Sequence, residues 1–495
     1  MRFFVLISIC IIIFSSCSGH KDILREEIIY KDGRITYKIH VHDLNISELP
    51  KEFAVLQDPR SGHWSVSFYD LDKKETVFEY NANKNLLPAS NLKLVTTAAA
   101  LKLLGTDYRF ETDFFIDGHI DRRLNLLKGN LYILGSGDPS TAGDFLRNRR
   151  SLQIFAPLVD SLKKVHGIDF IEGRIIPLNP FRFEKAFGKG WDIDDITHYY
   201  SAAVSPLTFH ENLTRVRVNN GRVTVIPPYS FNVRLDTIPD LTRNRFNRVI
   251  GSDSLIISSN FNRAVSGFVT VNDPDRFYID NLKAYLSDNG IRVQDRDIQP
   301  SGAKYHLATI KSDSLYAMLH KCNGESNNLY SEQIFRKIAE TFSSDSSFAD
   351  SLGNFPSRTD IVRVNSALYE RLFGINNFNL ADGSGLSRMN FFSSSKFIRV
   401  LETMYHDKNF LIYLSSFPLP GTEGTLQSRM NHPSLNNRLF AKTGSMTGVN
   451  CLTGYIYTEK GTRLAFSILN NYYNFGRNRT FAFYEDMLVY FAENY

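Results

Sequence analysis

Two alternating segments and one uninterrupted helical run open the folded part of the chain. Trp64–Asp70 alternates between apolar and polar side chains, as a half-buried strand does. Glu75–Tyr80 is a second predicted strand, which follows after a short polar turn. After Pro88, a run of helix-forming residues without Pro or Gly continues to Leu104, where Gly105 ends it. The pattern predicts a β-hairpin that leads into a long helix.

The C-terminal part of the chain returns to strands. Leu439–Ala441, Val449–Tyr457 and Thr462–Leu469 are apolar segments separated by turn residues, and they predict neighbouring antiparallel strands. The apolar stripe in Phe483–Asn494 predicts a final helix. The C-terminal part therefore predicts a group of antiparallel strands followed by a helix.

The long segment between these ends is predicted to contain short strands and turns, with separate helices. Leu213–Val218, the turn Asn219-Asn220-Gly221 and Arg222–Ile226 predict a second hairpin. Helical patterns are predicted at Phe145–His166, Tyr278–Leu286 and Ser314–Lys321. Roughly 200 residues thus separate the first helix from the remainder of its own domain, which indicates an insertion of one or two β-rich modules.

Composition and charge exclude several classes of protein. Charged residues make up 22% and hydrophobic residues 43% of the 495 residues, which is typical of a globular protein with a large core. The formal net charge of +5 is too small and too dispersed to indicate nucleic-acid binding. No segment approaches the roughly 18 apolar residues of a membrane helix.

The first residues are typical of an exported protein. Arg2 precedes the apolar run Phe3–Phe14, which is too short to span a membrane, and Ser15-Ser16-Cys17 follow it. The sequence therefore predicts a signal peptide over residues 1–16. Cys17 resembles a bacterial lipoprotein processing site and is the predicted lipid attachment point, with ordinary signal cleavage nearby as the alternative. Residues 17–50 are predicted to be a tether.

Two cysteines, Cys322 and Cys451, remain in the predicted mature domain. In an oxidising compartment they could form a disulfide. The alternative is that each is a buried small hydrophobic residue.

Ser90 and Lys93 are the first candidate catalytic residues. They lie one turn apart at the start of the predicted helix, so the lysine amine can reach the serine hydroxyl. A serine with its own base is the arrangement of a nucleophile. The alternative is a helix N-cap at Ser90. This pair alone follows a proline and begins a long run free of Pro and Gly. Four other pairs have the same spacing without these features: Ser18/Lys21, Ser161/Lys164, Ser301/Lys304 and Ser393/Lys396.

Ser326 and Asn328 form the second candidate element. They lie in a predicted turn between two helices, from which both side chains can face one cleft. Ser287-Asp288-Asn289 has the same spacing, but it ends a helix before Gly290 and is typical of a C-cap.

Lys442-Thr443-Gly444-Ser445 is the third element and the only Lys-Ser/Thr-Gly in the chain. It lies in a predicted strand, where Gly444 would let a substrate backbone approach the strand edge. The alternative is an exposed edge strand protected by a lysine.

Together, Ser-x-x-Lys, Ser-x-Asn and Lys-Thr-Gly resemble the signature of the D-Ala-D-Ala carboxypeptidase/endopeptidase family of low-molecular-mass penicillin-binding proteins. The resemblance extends from the first hairpin to the last helix. It includes Gly129–Leu131, Gly135–Pro139, Gly190-Trp191, Tyr199-Tyr200, Val204-Ser205, Asp382–Arg388 and Gly421–Leu426. Asn327 departs from the family, which commonly has aspartate there.

The resemblance implies a mixed α/β (α+β) fold, the transpeptidase domain shared with serine β-lactamases, in which helices flank an antiparallel sheet. It also implies two inserted, mostly β-rich domains. The implied organisation is a catalytic domain (51–109 and 305–495), inserted domain II (110–202 and 265–304) and inserted domain III (203–264).

The implied activity is hydrolysis of D-Ala-D-Ala peptides of peptidoglycan through an acyl-enzyme on Ser90, outside the cytoplasm. Lys93 would accept the serine proton, Ser326 would relay it and Asn328 would hold the substrate amide. Lys442, Thr443 and Ser445 would bind the terminal carboxylate. No cofactor or metal is implied, and β-lactam antibiotics would acylate the serine. The alternatives are a serine β-lactamase and a non-catalytic protein that binds the cell wall.

Overall fold

A computed structural model describes residues 25–31, 34–40, 51–143, 149–178, 186–343, 358–474 and 476–495. The strands are β1 Arg25–Lys31, β2 Arg34–His40, β3 His63–Asp70, β4 Glu75–Tyr80, β5 Glu111–Ile116, β6 His119–Asp121, β7 Leu126–Lys128, β8 Leu131–Leu134, β9 Phe170–Glu172, β10 Ile175–Leu178, β11 Leu213–Asn219, β12 Arg222–Ile226, β13 Asn232–Thr237, β14 Arg245–Arg248, β15 Ser254–Ser259, β16 Val265–Thr270, β17 Arg292–Gln294, β18 Tyr305–Lys311, β19 Leu439–Met446, β20 Val449–Tyr457 and β21 Arg463–Asn471. The α-helices are α1 Leu92–Leu103, α2 Ala156–Asp160, α3 Pro274–Asp288, α4 Leu315–Asn323, α5 Asn328–Ser343, α6 Arg358–Phe373, α7 Ser394–Tyr405, α8 Phe410–Ser415 and α9 Arg477–Asn494.

The central sheet joins the two ends of the chain. Its five strands are antiparallel, in the order β19-β20-β21-β3-β4. Residues of β20 and β21 are buried almost without interruption, because helices pack on both faces of the sheet. The predicted antiparallel sheet flanked by helices is confirmed. Strand β19, which carries Lys442, lies at one edge and has a single neighbour.

Helix α1 runs through the largest apolar cluster. Every residue from Leu92 to Leu101 is buried, including the lysine and two threonines. A helix that is buried all round lies in the interior of a large protein, and Ala98–Ala100 allow neighbouring helices to approach it closely. A single 3-10 turn, Ala89–Asn91, precedes α1, so the predicted helix start at Ser90 is confirmed.

The first part of the insertion forms two four-stranded sheets, β10-β8-β5-β18 and β17-β9-β7-β6, around an apolar cluster that α2 and α3 share. Strand β18 pairs with β5 over Glu111–Ile116. The predicted domain boundary at 304/305 therefore separates two strands that belong to one sheet.

The second part of the insertion is a small sandwich. Sheet β12-β11-β16 packs against sheet β13-β15-β14 around buried Val216, Val218, Leu255 and Ile257. A β-carbon on Gly267 would lie 2.6 Å from the ring of Phe246, so the two sheets approach closely there. Because β16 pairs with β11, the predicted boundary at 264/265 also divides a sheet. The two-domain division of the insertion remains a prediction.

Residues 1–54 and 55–495 are separate units. Within the first, β1 and β2 form an antiparallel hairpin in the segment predicted to be a tether. The predicted signal peptide and Cys17 lie outside the described residues. None of the described helices has the length and apolar character needed to cross a bilayer.

Candidate active site

Ser90 and Lys93 meet as their spacing predicts. Lys93 Nζ lies 2.9 Å from Ser90 Oγ, and its side chain is fully buried while Ser90 is partly exposed. No side-chain cap is made at the start of this helix, so the N-cap alternative for Ser90 finds no support. A partly exposed hydroxyl beside a buried amine is suited to attack on a substrate that enters from solvent.

Burial brings the pKa of Lys93 closer to neutrality than that of a free lysine. The amine also donates to Asn328 Oδ1 at 2.5 Å and to the Ser384 carbonyl at 2.7 Å. Burial lowers the pKa of Lys93 to about 8, although the carboxylates of Asp382 and Glu332 oppose this shift. At a pKa of about 8, about 9% of the amine is neutral at pH 7 and can accept a proton.

The Ser326 turn lies between α4 and α5, as predicted. Ser326 has φ of +63°, a left-handed conformation that is uncommon for a residue other than glycine. Its Oγ accepts a hydrogen bond of 2.8 Å from Lys442 Nζ. Asn328 begins α5 and donates from Nδ2 to the Tyr200 carbonyl at 2.7 Å. The other candidate, Ser287-Asp288-Asn289, ends α3 with Asn289 as the C-cap before a left-handed Gly290, so its interpretation as a helix end is confirmed.

Lys442 supplies the second buried amine of the cleft. Its side chain is fully inaccessible and its amine also donates to the Thr443 carbonyl at 2.8 Å. Burial, and then repulsion from Lys93, lower the pKa of Lys442 well below its usual range. An anionic group bound at this amine would favour its charged form and raise its pKa. Beyond Lys442, Thr443 is buried and Ser445 Oγ donates to Asn450 Oδ1 at 3.3 Å.

Gly444 has close neighbours within the protein itself. A β-carbon there would lie 2.8 Å from the Pro88 carbonyl oxygen, 2.9 Å from Asn91 Oδ1 and 3.2 Å from the Ala89 β-carbon. The glycine therefore allows β19 to pack against the turn that carries Ser90. The approach of a substrate backbone to this strand edge remains a prediction, and Gly444 keeps β19 in contact with the nucleophile turn.

A loop over residues 382–388 completes the wall behind Lys93. Asp382 accepts hydrogen bonds from the backbone N–H groups of Gly385 and Ser387 and from the Trp191 indole. Glu332 accepts from Gly383 N–H and Ser384 N–H, both at 2.9 Å. These contacts orient the Ser384 carbonyl toward Lys93. Sequence reasoning marked this loop as a family pattern but gave it no role.

The insertion also contacts the Ser326 turn. Asn327 Nδ2 donates to Glu211 Oε2 at 2.7 Å. Glu211 lies in three consecutive left-handed residues, His210–Asn212, directly before β11. An aspartate at position 327 would face the Glu211 carboxylate with like charge. Neither Glu211 nor Tyr200 was identified as a site residue from sequence.

Cys322 and Cys451 do not form a disulfide. Both thiols are free and buried, and burial raises the pKa of Cys322 to about 12. The interpretation of both residues as small buried hydrophobic residues is confirmed.

Comparison with known proteins gives consistent results. The model of the D-Ala-D-Ala carboxypeptidase 3 (S13) family matches residues 53–487. The chain is 26% identical to penicillin-sensitive carboxypeptidase A of Dictyostelium discoideum, over 80% of each chain. It is 25% identical to D-alanyl-D-alanine carboxypeptidase DacB of Haemophilus influenzae, over 88% of this chain and 89% of that protein.

Among solved structures, penicillin-binding protein 4 of Haemophilus influenzae superimposes with a TM-score of 0.74 at 22% identity, over 89% of this chain and 98% of that one. The same protein complexed with a β-lactam gives a TM-score of 0.69 at 21% identity. This likeness identifies the penicillin-binding protein fold. Because the family model matches most of its length, the chain belongs to the D-Ala-D-Ala carboxypeptidase 3 (S13) family and is a serine peptidase.

Proposed function

We propose that Ser90, Lys93, Ser326, Asn328 and Lys442 carry out the D-Ala-D-Ala carboxypeptidase reaction of this family on peptidoglycan stem peptides. The observation that carries the assignment is the hydrogen bond of 2.9 Å between Ser90 Oγ and the buried amine of Lys93. No other serine with the Ser-x-x-Lys spacing combines a partly exposed hydroxyl with a fully buried lysine in the part of the chain that the structure describes.

Acylation begins when Ser90 Oγ attacks the carbonyl carbon of the penultimate D-Ala and its proton passes to neutral Lys93. The N–H groups of Ser90 and Ser445 stabilise the negative charge on the former carbonyl oxygen. The C–N bond then breaks, and the terminal D-Ala amine leaves with a proton that Ser326 relays. Water hydrolyses the ester on Ser90, which regenerates the hydroxyl and releases the shortened peptide.

Substrate orientation follows from the edge position of β19. A peptide laid along this edge extends the sheet and places its C-terminus near Lys442, Thr443 and Ser445. The lysine amine and the two hydroxyls bind the terminal carboxylate. The Asn328 amide, held between Lys93 and Tyr200, contacts the substrate amide.

A β-lactam adduct tests the nucleophile directly. After incubation with penicillin, peptide mapping by mass spectrometry should locate the adduct on Ser90, and the Ser90→Ala variant should remain unlabelled. Ser161 is a suitable internal control, because it has the same spacing to Lys164 but donates to the Leu307 carbonyl within the insertion. An adduct on Ser161 or Ser326 would refute the assignment.

Turnover separates the proposed activity from the alternatives. Release of D-Ala from a muropeptide, with slow turnover of a chromogenic cephalosporin, supports the peptidase. Rapid, multiple cephalosporin turnover would identify a β-lactamase, and absence of both turnover and acylation would identify a non-catalytic protein. Digestion of sacculi followed by mass analysis measures cleavage of cross-links in the same preparation.

We further propose that the protein is exported to the cell envelope and anchored to a membrane through lipid on Cys17. The support is the apolar run Phe3–Phe14 followed by Ser15-Ser16-Cys17. Palmitate labelling should disappear in a Cys17→Ser variant and persist in a Cys10→Ser variant. Labelling that survives in the Cys17→Ser variant would refute the anchor.

A further inference from the structure

The outer face of sheet β12-β11-β16 is basic and exposed. Alternation along β11 and β12 directs Arg215, Arg217 and Arg222 outward, while Val216 and Val218 face the core of the sandwich. Phe268 of β16 lies opposite Arg215 on the same face and is 42% exposed. We call these four residues the arginine face.

The arginines of this face form no ion pair with the described part of the chain. None of its three arginines has a carboxylate within ion-pair distance among the described residues, whereas Arg234 on the other sheet pairs with Asp236 at 3.0 Å. The Arg215 guanidinium instead lies 5.1 Å from the centroid of the Phe268 ring. Arg215 and Arg217 repel each other on one strand, so an external anion would stabilise the face.

Composition around this face has the same bias. Residues 203–270 contain eight arginines, no lysine and four acidic residues. Arginine binds carboxylates through two parallel hydrogen bonds, and its planar group stacks on aromatic rings and apolar surfaces. A surface of arginines beside an exposed aromatic ring is therefore complementary to a ligand that bears carboxylates on an amphipathic backbone.

The arginine face begins at the wall of the active site. Leu213, the first residue of β11, points to the same side as Arg215 and packs in a cluster with Trp191 and Leu329. Leu329 follows Asn328, and Trp191 donates to Asp382 behind Lys93. A rise of about 3.3 Å per residue places the backbone of Arg215 about 7 Å, and that of Arg217 about 13 Å, beyond Leu213.

We propose that the arginine face binds carboxylates of polymeric peptidoglycan on stem peptides next to the one in the active site. This inference rests on the proposed function and extends it, because it concerns the polymer and not the scissile peptide. Stem peptides carry carboxylates and are attached in series to a glycan strand. A second attachment point on the same strand raises the effective concentration of the scissile peptide at Ser90.

The test compares a polymeric with a soluble substrate. The variant Arg215→Gln/Arg217→Gln removes two charges from the arginine face, and Arg234→Gln/Arg245→Gln removes two charges from the opposite sheet of the same sandwich. Co-sedimentation with purified sacculi measures binding, and D-Ala release from a soluble pentapeptide measures the chemistry. Thermal denaturation of both variants establishes that the fold is retained.

The arginine-face variant should bind sacculi about two- to thirtyfold more weakly than the control variant, the range for losing two exposed ion pairs. Its kcat/KM on the soluble pentapeptide should match that of the wild type. The difference in sacculus binding should shrink as salt is raised, because exposed ion pairs are screened.

Three results would overturn the inference. Equal sacculus binding by the two variants would show that the arginine face is not a specific site. A parallel loss of soluble-peptide turnover would show that the substitutions act through the active site. Loss of binding to anionic phospholipid vesicles with sacculus binding retained would identify a membrane as the occupant. Failure of the wild type to hydrolyse the pentapeptide would instead refute the proposed function, since sacculus binding is measured separately.

Discussion

The pKa of Lys93 predicts how fast Ser90 is acylated at each pH. Lys93 can accept the serine proton only as a neutral amine, and burial lowers its pKa to about 8. Because the pKa is lowered, protonation below about pH 8 removes the base, and deprotonation above it supplies the base. The second-order rate constant for acylation by a β-lactam should therefore rise with pH through the neutral range.

The size of the effect follows from the titration of one group. With a pKa of about 8, the neutral fraction is about 1% at pH 6, about 9% at pH 7 and about 50% at pH 8. Acylation should thus accelerate about ninefold from pH 6 to 7 and about fivefold from pH 7 to 8. A lysine at its usual pKa of about 10.4 would instead give nearly tenfold per unit throughout this range.

The assay is stopped-flow acylation by a fluorescent penicillin between pH 6 and 8.5, with the hydroxide reaction of the penicillin subtracted. Lys93→Met should lose acylation at every pH. Lys102→Met is the matched control, since Lys102 lies on the same helix, pairs with Asp407 away from Ser90 and should leave the profile unchanged. A flat profile, or a slope that continues undiminished above pH 8, would refute the role of a buried Lys93 as base.

Three further changes have definite expected outcomes. Lys442→Ala should lower kcat/KM for a D-Ala-D-Ala peptide about ten- to hundredfold, because a charge-assisted hydrogen bond contributes roughly 1.5–3 kcal/mol. Amidation of the peptide's C-terminus should impair the wild type strongly and this variant hardly further. Equal impairment of the wild type and the variant would exclude carboxylate binding by Lys442. Gly444→Ala should lower the melting temperature and slow acylation, because the added methyl group would lie 2.8–2.9 Å from atoms of the Ser90 turn and would displace it, at a cost of about 1–3 kcal/mol. An unchanged acylation rate would contradict this packing role. Asn327→Asp should slow acylation at neutral pH by opposing the Glu211 carboxylate, and adding Glu211→Gln should restore the rate; no rescue would show that this contact does not position the Ser326 turn.

Much of the local structure was determined by the sequence alone. A proline-ended approach and a run of helix formers determine that a helix starts at Ser90, and helical geometry then places Lys93 over it at i+3. Alternating and apolar runs determine the strands of the central sheet. Left-handed Gly290 after α3 marks the C-cap at Asn289. These features depend on neighbours within a few residues, which a sequence pattern records.

Contacts between distant segments were decided only by the tertiary structure. The partnership of Ser326 with Lys442, the orientation of Asn328 by Tyr200 and the pairing of β18 with β5 join residues that are far apart in the chain. The lowered pKa of Lys93 belongs to this group as well, since desolvation depends on everything packed around the amine. Gly444 is the clearest case, because its neighbour is the Ser90 turn more than 300 residues earlier. Such contacts depend on how whole elements pack together, and the residue pattern within one element does not indicate which distant element it will contact.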